Sequence, residues 1–123
     1  MIFKKDSDKA DFGSGKIKPA LHRLLEGLDA FCEEKKLPEL VVTSLCSPAD
    51  KHETGSQHYA GEAADVRSNT LTAWQLAMML NYVHETHWRN DENVVGRPLR
   101  AAYPEGDGAN FHIHLSIDKG ERP

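Results

Sequence analysis

The stretch that begins at Ser56 and ends at Asp65 limits what this chain can fold into more than any other part of the sequence. It places the imidazole of His58 and the carboxylate of Asp65 seven positions apart. Small residues lie between the two: Gly61, Ala63 and Ala64. Both side chains can reach one metal ion only if the backbone between them curls, and small residues permit this without steric cost. The stretch therefore predicts part of a metal site.

A second pair of imidazoles, His112 and His114, follows far downstream in an apolar segment. Alternate residues of a strand point to one face, so both rings can face one cavity. Either one would complete a ligand set with His58 and Asp65 and leave a fourth position for water. Three protein ligands and an open position are typical of catalytic zinc sites. The alternative is a hydrogen-bonded imidazole–carboxylate pair that holds no metal.

Length and composition indicate a single domain over residues 1–123, in which residues 1–16 form a polar N-terminal segment. Hydrophobic residues make up 39% and charged residues 28%, as in ordinary globular proteins. The net charge of -4, with scattered basic residues, argues against nucleic acid as a partner. No apolar run approaches the ~20 residues that cross a bilayer. We expect a monomer with no membrane partner.

The two cysteines, Cys32 and Cys46, are too few for a disulfide framework. They also lack the CxxC-type spacing of thiolate zinc sites. We expect both to behave as small buried hydrophobic residues, and a single disulfide between them stays open.

Two amphipathic helices are predicted. The first begins at Pro19 and ends before Pro38, and its apolar residues recur at helical spacing: Leu21, Leu24, Leu25, Leu28, Phe31 and Cys32. The second begins at Thr72, which forms a capping box with Gln75. Its apolar side includes Leu76, Leu80 and Val83. Trp74 and Trp88 are expected to pack against other residues rather than to bind a ligand.

The strand candidates are residues 40–46, 62–67, 94–95, 99–103 and 111–117, with a short strand at residues 2 and 3. Residues 4–16 are expected to form a surface loop, and residues 104–108 a turn. The order helix, strand, strand, helix, strand, strand favours an α+β fold. We expect a mostly antiparallel sheet with two main helices packed on it.

The run Ser56-x-His58-x-x-Gly61-x-Ala63-x-Asp65, followed by His112-x-His114, resembles the zinc peptidases of the Hedgehog/D-Ala-D-Ala-peptidase fold. These include D-alanyl-D-alanine carboxypeptidases and dipeptidases, and phage L-alanyl-D-glutamate endopeptidases, which cut peptidoglycan stem peptides. The run is also similar to the amino-terminal signalling domain of Hedgehog. The resemblance covers roughly residues 40 to 118, and it implies a Hedgehog/DD-peptidase-like fold.

The resemblance also implies roles for individual residues. The implied Zn²⁺ ligands are His58, Asp65 and His114. His112 would support a ligand or contact the transition state. His52 matches a Hedgehog-domain histidine near the zinc, and Ser56 would contact substrate at the rim of the site.

The chain departs from the peptidases at their substrate-binding arginine. Those enzymes carry it at the end of a strand, but residues 43–48 of this chain contain no arginine. Arg67 or Arg97 would have to bind the substrate carboxylate instead.

A second departure concerns the general base. The peptidases often place an acidic residue three positions before the last zinc histidine, where this chain has Phe111. The nearest carboxylates are Asp107 and Glu105, and either could serve only if the glycine-rich turn folds back over the site.

Two functions follow from the resemblance. The first is a zinc-dependent peptidase of the D,D-carboxypeptidase or L-Ala-D-Glu endopeptidase type, of phage or bacterial origin, whose partner is a peptidoglycan peptide. The second is a non-catalytic zinc-containing binding or structural module, either Hedgehog-like or a virion component. Charges stand near the N-terminus where a secretory signal needs its apolar run, so we expect no secretory signal, synthesis in the cytoplasm, and action at the cell wall after lysis or from a virion.

Overall fold

The computed structural model describes residues 1–46, 58, 61–87, 102–106, 108 and 111–117. The elements follow the order β1 (Ile2–Phe3), α1 (Asp6–Gly13), α2 (Pro19–Glu34), β2 (Val41–Ser44), β3 (Ala63–Arg67), α3 (Ala73–His87), β4 (Ala102–Glu105) and β5 (His112–Ser116). This order confirms the predicted α+β class. No helix in the described ranges has the length and apolarity that crossing a bilayer requires.

The strands form one mixed sheet in the order β1-β2-β3-β5-β4. β1 runs parallel to β2, whereas the β2–β3, β3–β5 and β4–β5 pairs are antiparallel. A parallel neighbour needs a long crossover connection, and α1 and α2 supply it between β1 and β2. The two neighbouring strands β3 and β5, inside the sheet, carry Asp65 and His114.

The bounds of β4 differ from the strand predicted at residues 99–103 and the turn predicted at residues 104–108. The strand runs over Ala102–Glu105, so Pro104 lies inside a strand and not in a turn. Proline lacks the backbone N–H that a central strand must donate, but β4 is at the sheet edge, where this is tolerated. The candidate strand at residues 94–95 and the first part of the candidate at 99–103 lie outside the described residues.

The hydrophobic core lies between one face of the sheet and helices α2 and α3. The α2 leucines predicted from helical spacing are all fully buried: Leu21, Leu24, Leu25 and Leu28. They meet buried apolar side chains of the central strands: Val42, Val66, Ile113 and Leu115. Side chains alternate along a strand, so the residues between these positions belong to the opposite face. That opposite face carries Asp65 and His114.

The predicted capping box at the start of α3 is confirmed. The Thr72 backbone N–H donates to Gln75 Oε1 at 2.9 Å, and the Gln75 N–H donates to Thr72 Oγ1 at 3.2 Å. Such a cap stabilises a helix by ~1 kcal/mol. The expectation that Trp74 packs was wrong, since its side chain is 75% exposed on the first turn of α3. Trp88 lies outside the described residues.

Helix α1 overturns the prediction of a loop at residues 4–16. Its inward-facing residues include two buried carboxylates, Asp8 and Asp11. Phe12 stacks on His22 of α2, with ring centroids 4.0 Å apart. Hydrophobic periodicity is the main sequence signal for a helix, and a helix that buries acids does not give that signal.

Asp8 is fully buried, and its carboxylate accepts no hydrogen bond of good geometry in the described part of the chain, although the Leu45 backbone N–H is close enough to lower its pKa. Lys5 Nζ lies 3.6 Å from its Oδ2. Burial raises the pKa of Asp8 above its ordinary value of 3.8, although the nearby Lys5 charge lowers it. The folded protein therefore binds a proton at Asp8 more readily than the unfolded chain does.

Asp8→Asn should increase the free energy of unfolding at pH 7 by about 1 kcal/mol, because it removes a buried, poorly paired charge. Because the pKa of Asp8 is higher in the folded protein than in the unfolded chain, the free energy of unfolding of the wild type falls as the pH rises from about 3.8 through the pKa of the folded state. Urea unfolding at pH 4 and pH 7 should show this loss in the wild type and a smaller loss in the variant. Equal changes in the two proteins would contradict the expectation.

Both cysteines are free thiols, so the disulfide left open by the sequence does not form. Cys32 is buried in the core, whereas Cys46 is partly exposed and donates to Asp11 Oδ2 at 3.5 Å. Burial raises the pKa of each thiol to about 11. Neither cysteine is therefore suited to act as a nucleophile at neutral pH.

Candidate metal centre and adjacent cleft

The pairing of β3 with β5 brings two of the predicted ligands together. Asp65 lies directly opposite His114, and Arg67 lies opposite His112. Directly paired residues of antiparallel strands share one face, with Cβ atoms ~4.5–5.5 Å apart. A register shift between Val42 and Ser44 of β2 lies beside Asp65. There the Thr43 hydroxyl donates to the Asp65 carbonyl oxygen at 3.3 Å.

His58 reaches the same place through a turn that ends at Gly61. The Gly61 N–H donates to the His58 carbonyl oxygen at 3.0 Å, and Gly61 has φ +72°. A Cβ at this position would lie 2.6 Å from the Lys16 carbonyl oxygen. The predicted curl therefore occurs at Gly61, whereas Ala63 and Ala64 belong to β3 and are buried.

The turn is fastened to the start of α2. The Lys18 N–H donates to the Gly61 carbonyl oxygen at 2.9 Å. The Lys18 ammonium group also pairs with the buried Glu62 carboxylate at 2.5 Å. These contacts hold Gly61 and Glu62 against the start of α2, and Gly61 in turn is hydrogen-bonded to the His58 carbonyl oxygen.

The donor atoms of His58, Asp65 and His114 all lie within 4.8 Å of one another. Asp65 Oδ1 is 3.4 Å from His58 Nε2 and 3.1 Å from His114 Nδ1. Two ligands that each lie ~2.0–2.1 Å from a tetrahedral ion are ~3.3 Å apart. The two measured distances therefore match the spacing between ligand atoms in a tetrahedral site, and the cluster could hold a metal ion.

A hydrogen bond fixes the orientation of the His58 ring. Its Nδ1–H donates to the Leu45 carbonyl oxygen at 2.8 Å, so in the neutral ring the lone pair is on Nε2. That lone pair faces a carboxylate oxygen of Asp65. Two acceptors in this arrangement repel each other unless a proton or a cation lies between them. A cation bound between the two groups would remove this repulsion.

Three imidazoles surround one oxygen of Asp65. His112 Nε2 is 3.7 Å from Asp65 Oδ1, in addition to the contacts from His58 and His114. Burial would raise the pKa of Asp65, but hydrogen bonds from His114 and His58, and the charges of His58 and His112, outweigh it. The Asp65 pKa therefore lies well below its ordinary value. The carboxylate is ionised at neutral pH, as a metal ligand must be.

A cleft of about 440 Å³ has His112 in its wall, and His112 Nε2 is 3.7 Å from Asp65 Oδ1. The three cluster residues are not among the described residues that line it. The other polar residues that line it are Lys4, Thr43, Arg67, Asn69 and Thr70. Its volume falls in the range of small-ligand pockets, ~300–1,000 Å³. The structure thus brings Arg67, a predicted substrate contact, to the same cleft as His112.

Several residues predicted to act at the site lie outside the described residues: His52, Ser56, Arg97 and Asp107. Their roles stay predictions. Glu105, the other carboxylate considered as a base, is paired with His112 in the backbone register of β4 and β5.

Sequence reasoning missed the residues that support the cluster: Leu45, Thr43, Lys18 and Glu62. Leu45 acts through its backbone carbonyl and Thr43 through its hydroxyl, and neither contact can be predicted from the residue type. The contact between Lys18 and Glu62 spans 44 residues, and each is an ordinary charged residue in the sequence. No local pattern could have identified them.

Comparison of the sequence with protein-family models and with curated proteins gave no match. The site is therefore interpreted from its own chemistry.

Proposed function

We propose that the protein is a zinc-dependent peptidase that hydrolyses a peptide bond in peptidoglycan stem peptides. The observation that carries this proposal is the convergence of His58, Asp65 and His114 within 4.8 Å, with His112, which lines a cleft, 3.7 Å from Asp65. The resemblance of the sequence run to zinc peptidases supplies the substrate class. On the same basis we infer a Hedgehog/DD-peptidase-like fold, a monomer, and action at the bacterial cell wall.

Zinc is the metal that the donor set favours. Two imidazole nitrogens and one carboxylate oxygen match the ligand sets of catalytic zinc sites, which leave one position open. Magnesium and calcium prefer sites made of oxygen alone. When bound, zinc lowers the pKa of a water molecule to ~7 and polarises a carbonyl group.

The protein's own groups would prepare the site for hydrolysis. The Leu45 carbonyl and the turn at Gly61 hold His58 in one orientation. His112 lies between Asp65 and the cleft, where its ring N–H can donate a hydrogen bond to an oxygen that gains charge in the transition state. One donor of this kind accelerates a reaction ~10²–10³-fold.

A carboxylate must also take a proton from water and deliver it to the leaving amine. Glu105 is the candidate that the backbone register favours, because it is paired with His112. Asp107 is the second candidate, from its place in the glycine-rich turn. Glu105→Gln and Asp107→Asn separate the two, since only the base should reduce kcat by ~10²–10⁴-fold while leaving zinc content unchanged.

The proposal is tested by mass spectrometry of stem peptides and intact muropeptides after incubation with the protein. We expect a product that differs by hydrolysis of one bond, and we expect the reaction to stop with a chelator and resume with zinc. His58→Ala should bind no zinc and form no product. His84→Ala, which changes a histidine of α3 outside the cluster, is the matched control and should behave as the wild type does.

A non-catalytic zinc-containing binding module is the second candidate, and one observation favours it. Among the residues that the structure describes, the cleft lining contains no carboxylate, and Phe111 stands three positions before His114, where the peptidases that the sequence resembles often have a base. Zinc binding with unchanged masses across carboxypeptidase and endopeptidase substrates would establish this function. Protein that binds no zinc would contradict both candidates.

A further inference from the structure

Among the three residues of the cluster, His58 is the one that no strand carries. Asp65 and His114 belong to paired strands, so the sheet itself holds both of them. His58 lies before β3, where the Leu45 carbonyl oxygen accepts from its ring and the Gly61 N–H donates to its backbone carbonyl oxygen. Groups that hold Leu45 and Gly61 in place therefore also position His58.

Asp11 of α1 contacts the segment that holds the His58 ring. The Asp11 side chain is buried, and its Oδ2 accepts a hydrogen bond from the Cys46 thiol, with 3.5 Å between Oδ2 and Sγ. Burial raises the pKa of this thiol to about 11, so the thiol keeps the proton that it donates. Cys46 directly follows Leu45 in the chain. The hydrogen bond thus connects α1 to the residue whose carbonyl oxygen orients His58.

The other oxygen of the same carboxylate contacts the segment that holds the His58 backbone. Asp11 Oδ1 is 3.4 Å from Lys16 Nζ. The chain from Lys16 to Lys18 lies against Gly61, since the Lys18 N–H donates to the Gly61 carbonyl oxygen at 2.9 Å. A Cβ on Gly61 would also lie 2.6 Å from the Lys16 carbonyl oxygen. One buried carboxylate therefore connects both segments on which the placement of His58 depends.

We propose that Asp11 is a positioning residue for the metal ligand His58, which it holds through residues 45–46 on one side and residues 16–18 on the other. Asp11 is neither a donor of the cluster nor one of the described residues that line the cleft. Groups that bond directly to a metal ligand contribute ~10–100-fold to metal affinity. Asp11 acts through an intervening residue on each side, so we expect about 10-fold, the lower end of that range. This inference rests on the proposed function, because it takes the cluster to bind zinc.

Asp11→Ala should lower the affinity of the full chain for zinc by about 10-fold, measured by competition with a chromophoric chelator. Cys46→Ala and Lys16→Met each remove one of the two contacts, so each should lower the affinity by about 3-fold. The variant that combines them should match Asp11→Ala, and adding Asp11→Ala to it should have no further effect. Asp6→Ala, which removes an exposed carboxylate of the same helix, is the matched control and should bind zinc as the wild type does.

A measurement on the metal-free protein separates the positioning of His58 from a general effect on the fold. The exchange of the His58 Nδ1 proton with water, followed by NMR, reports on the hydrogen bond to Leu45. We expect Asp11→Ala to accelerate this exchange by about 10-fold in conditions where urea unfolding shows that the variant is folded. Asp11→Asn keeps an oxygen that can accept from Cys46 but loses the charge that faces Lys16. It should therefore behave as Lys16→Met does, in exchange and in zinc affinity.

The outcomes separate this role of Asp11 from the proposed function. Unchanged proton exchange in Asp11→Ala would overturn the positioning role, even if the free energy of unfolding fell, and would leave the peptidase intact. Faster exchange with unchanged zinc affinity would overturn it as well, because the placement of the ring would then not affect the metal. A wild type that binds no zinc would contradict the peptidase, whereas faster exchange in Asp11→Ala would still support the positioning of His58.

Discussion

Asp65→Asn should lower the affinity of the protein for zinc at least ~100-fold, because even groups that only orient a metal ligand contribute ~10–100-fold. The substitution keeps the shape of the side chain but removes the negative charge that three imidazoles surround. Competition with a chromophoric chelator measures the affinity directly. Elemental analysis of protein purified without chelator should show the same loss.

The control for this substitution is Asp6→Asn, which changes an exposed carboxylate on α1. It removes the same charge from the protein and should leave zinc affinity unchanged. If Asp65→Asn binds zinc as the wild type does, the carboxylate is not a ligand and the proposed site is wrong. Thermal unfolding of the metal-free proteins shows whether either change affects the fold itself.

Gly61→Ala should lower the free energy of unfolding by about 2–4 kcal/mol and also weaken zinc binding. A left-handed conformation costs alanine ~1–2 kcal/mol. In addition, the new Cβ would lie 2.6 Å from a backbone oxygen of Lys16, which cannot rotate away. Any shift that relieves this contact also moves the turn that carries His58. Urea denaturation and a zinc titration measure the two effects.

Gly15→Ala separates the conformational cost from the contact. Gly15 also has positive φ, +78°, but a Cβ there meets nothing within 4 Å. It should therefore lose only the ~1–2 kcal/mol of the left-handed conformation and keep its zinc affinity. Equal losses of stability in the two variants would show that the close approach to Lys16 does not matter.

The sequence predicted the features that depend on neighbouring residues, such as helical spacing and helix capping. The α2 leucines recur at helical spacing because they share one core face, and the Thr72–Gln75 capping box needs only neighbouring residues. The spacing of His112 and His114 also follows from strand alternation. The prediction that His114, and not His112, is a metal ligand depended on the resemblance. Strand alternation alone does not separate the two, since both rings lie close to Asp65.

What the sequence did not predict depends on contacts between distant residues or on buried polar groups. α1 turns two acids inward, so it lacks the apolar stripe that identifies a helix. Pro104 was expected in a turn because proline is common there, but its place at the sheet edge allows a strand. The orientation of His58 depends on a carbonyl 13 residues away, and carbonyl groups are the same in every residue.

The order of the donor atoms along the chain has a consequence for when the protein could bind a metal ion. His58 and Asp65 come from the middle of the chain and His114 from β5, the last strand of the sheet in sequence. The third donor is therefore missing until the most distant segment has joined β3, and such non-local pairing is slow compared with helix formation. During synthesis, α2, β3 and α3 would leave the ribosome before all three donors could hold an ion, so capture of a metal would follow the pairing of β3 with β5.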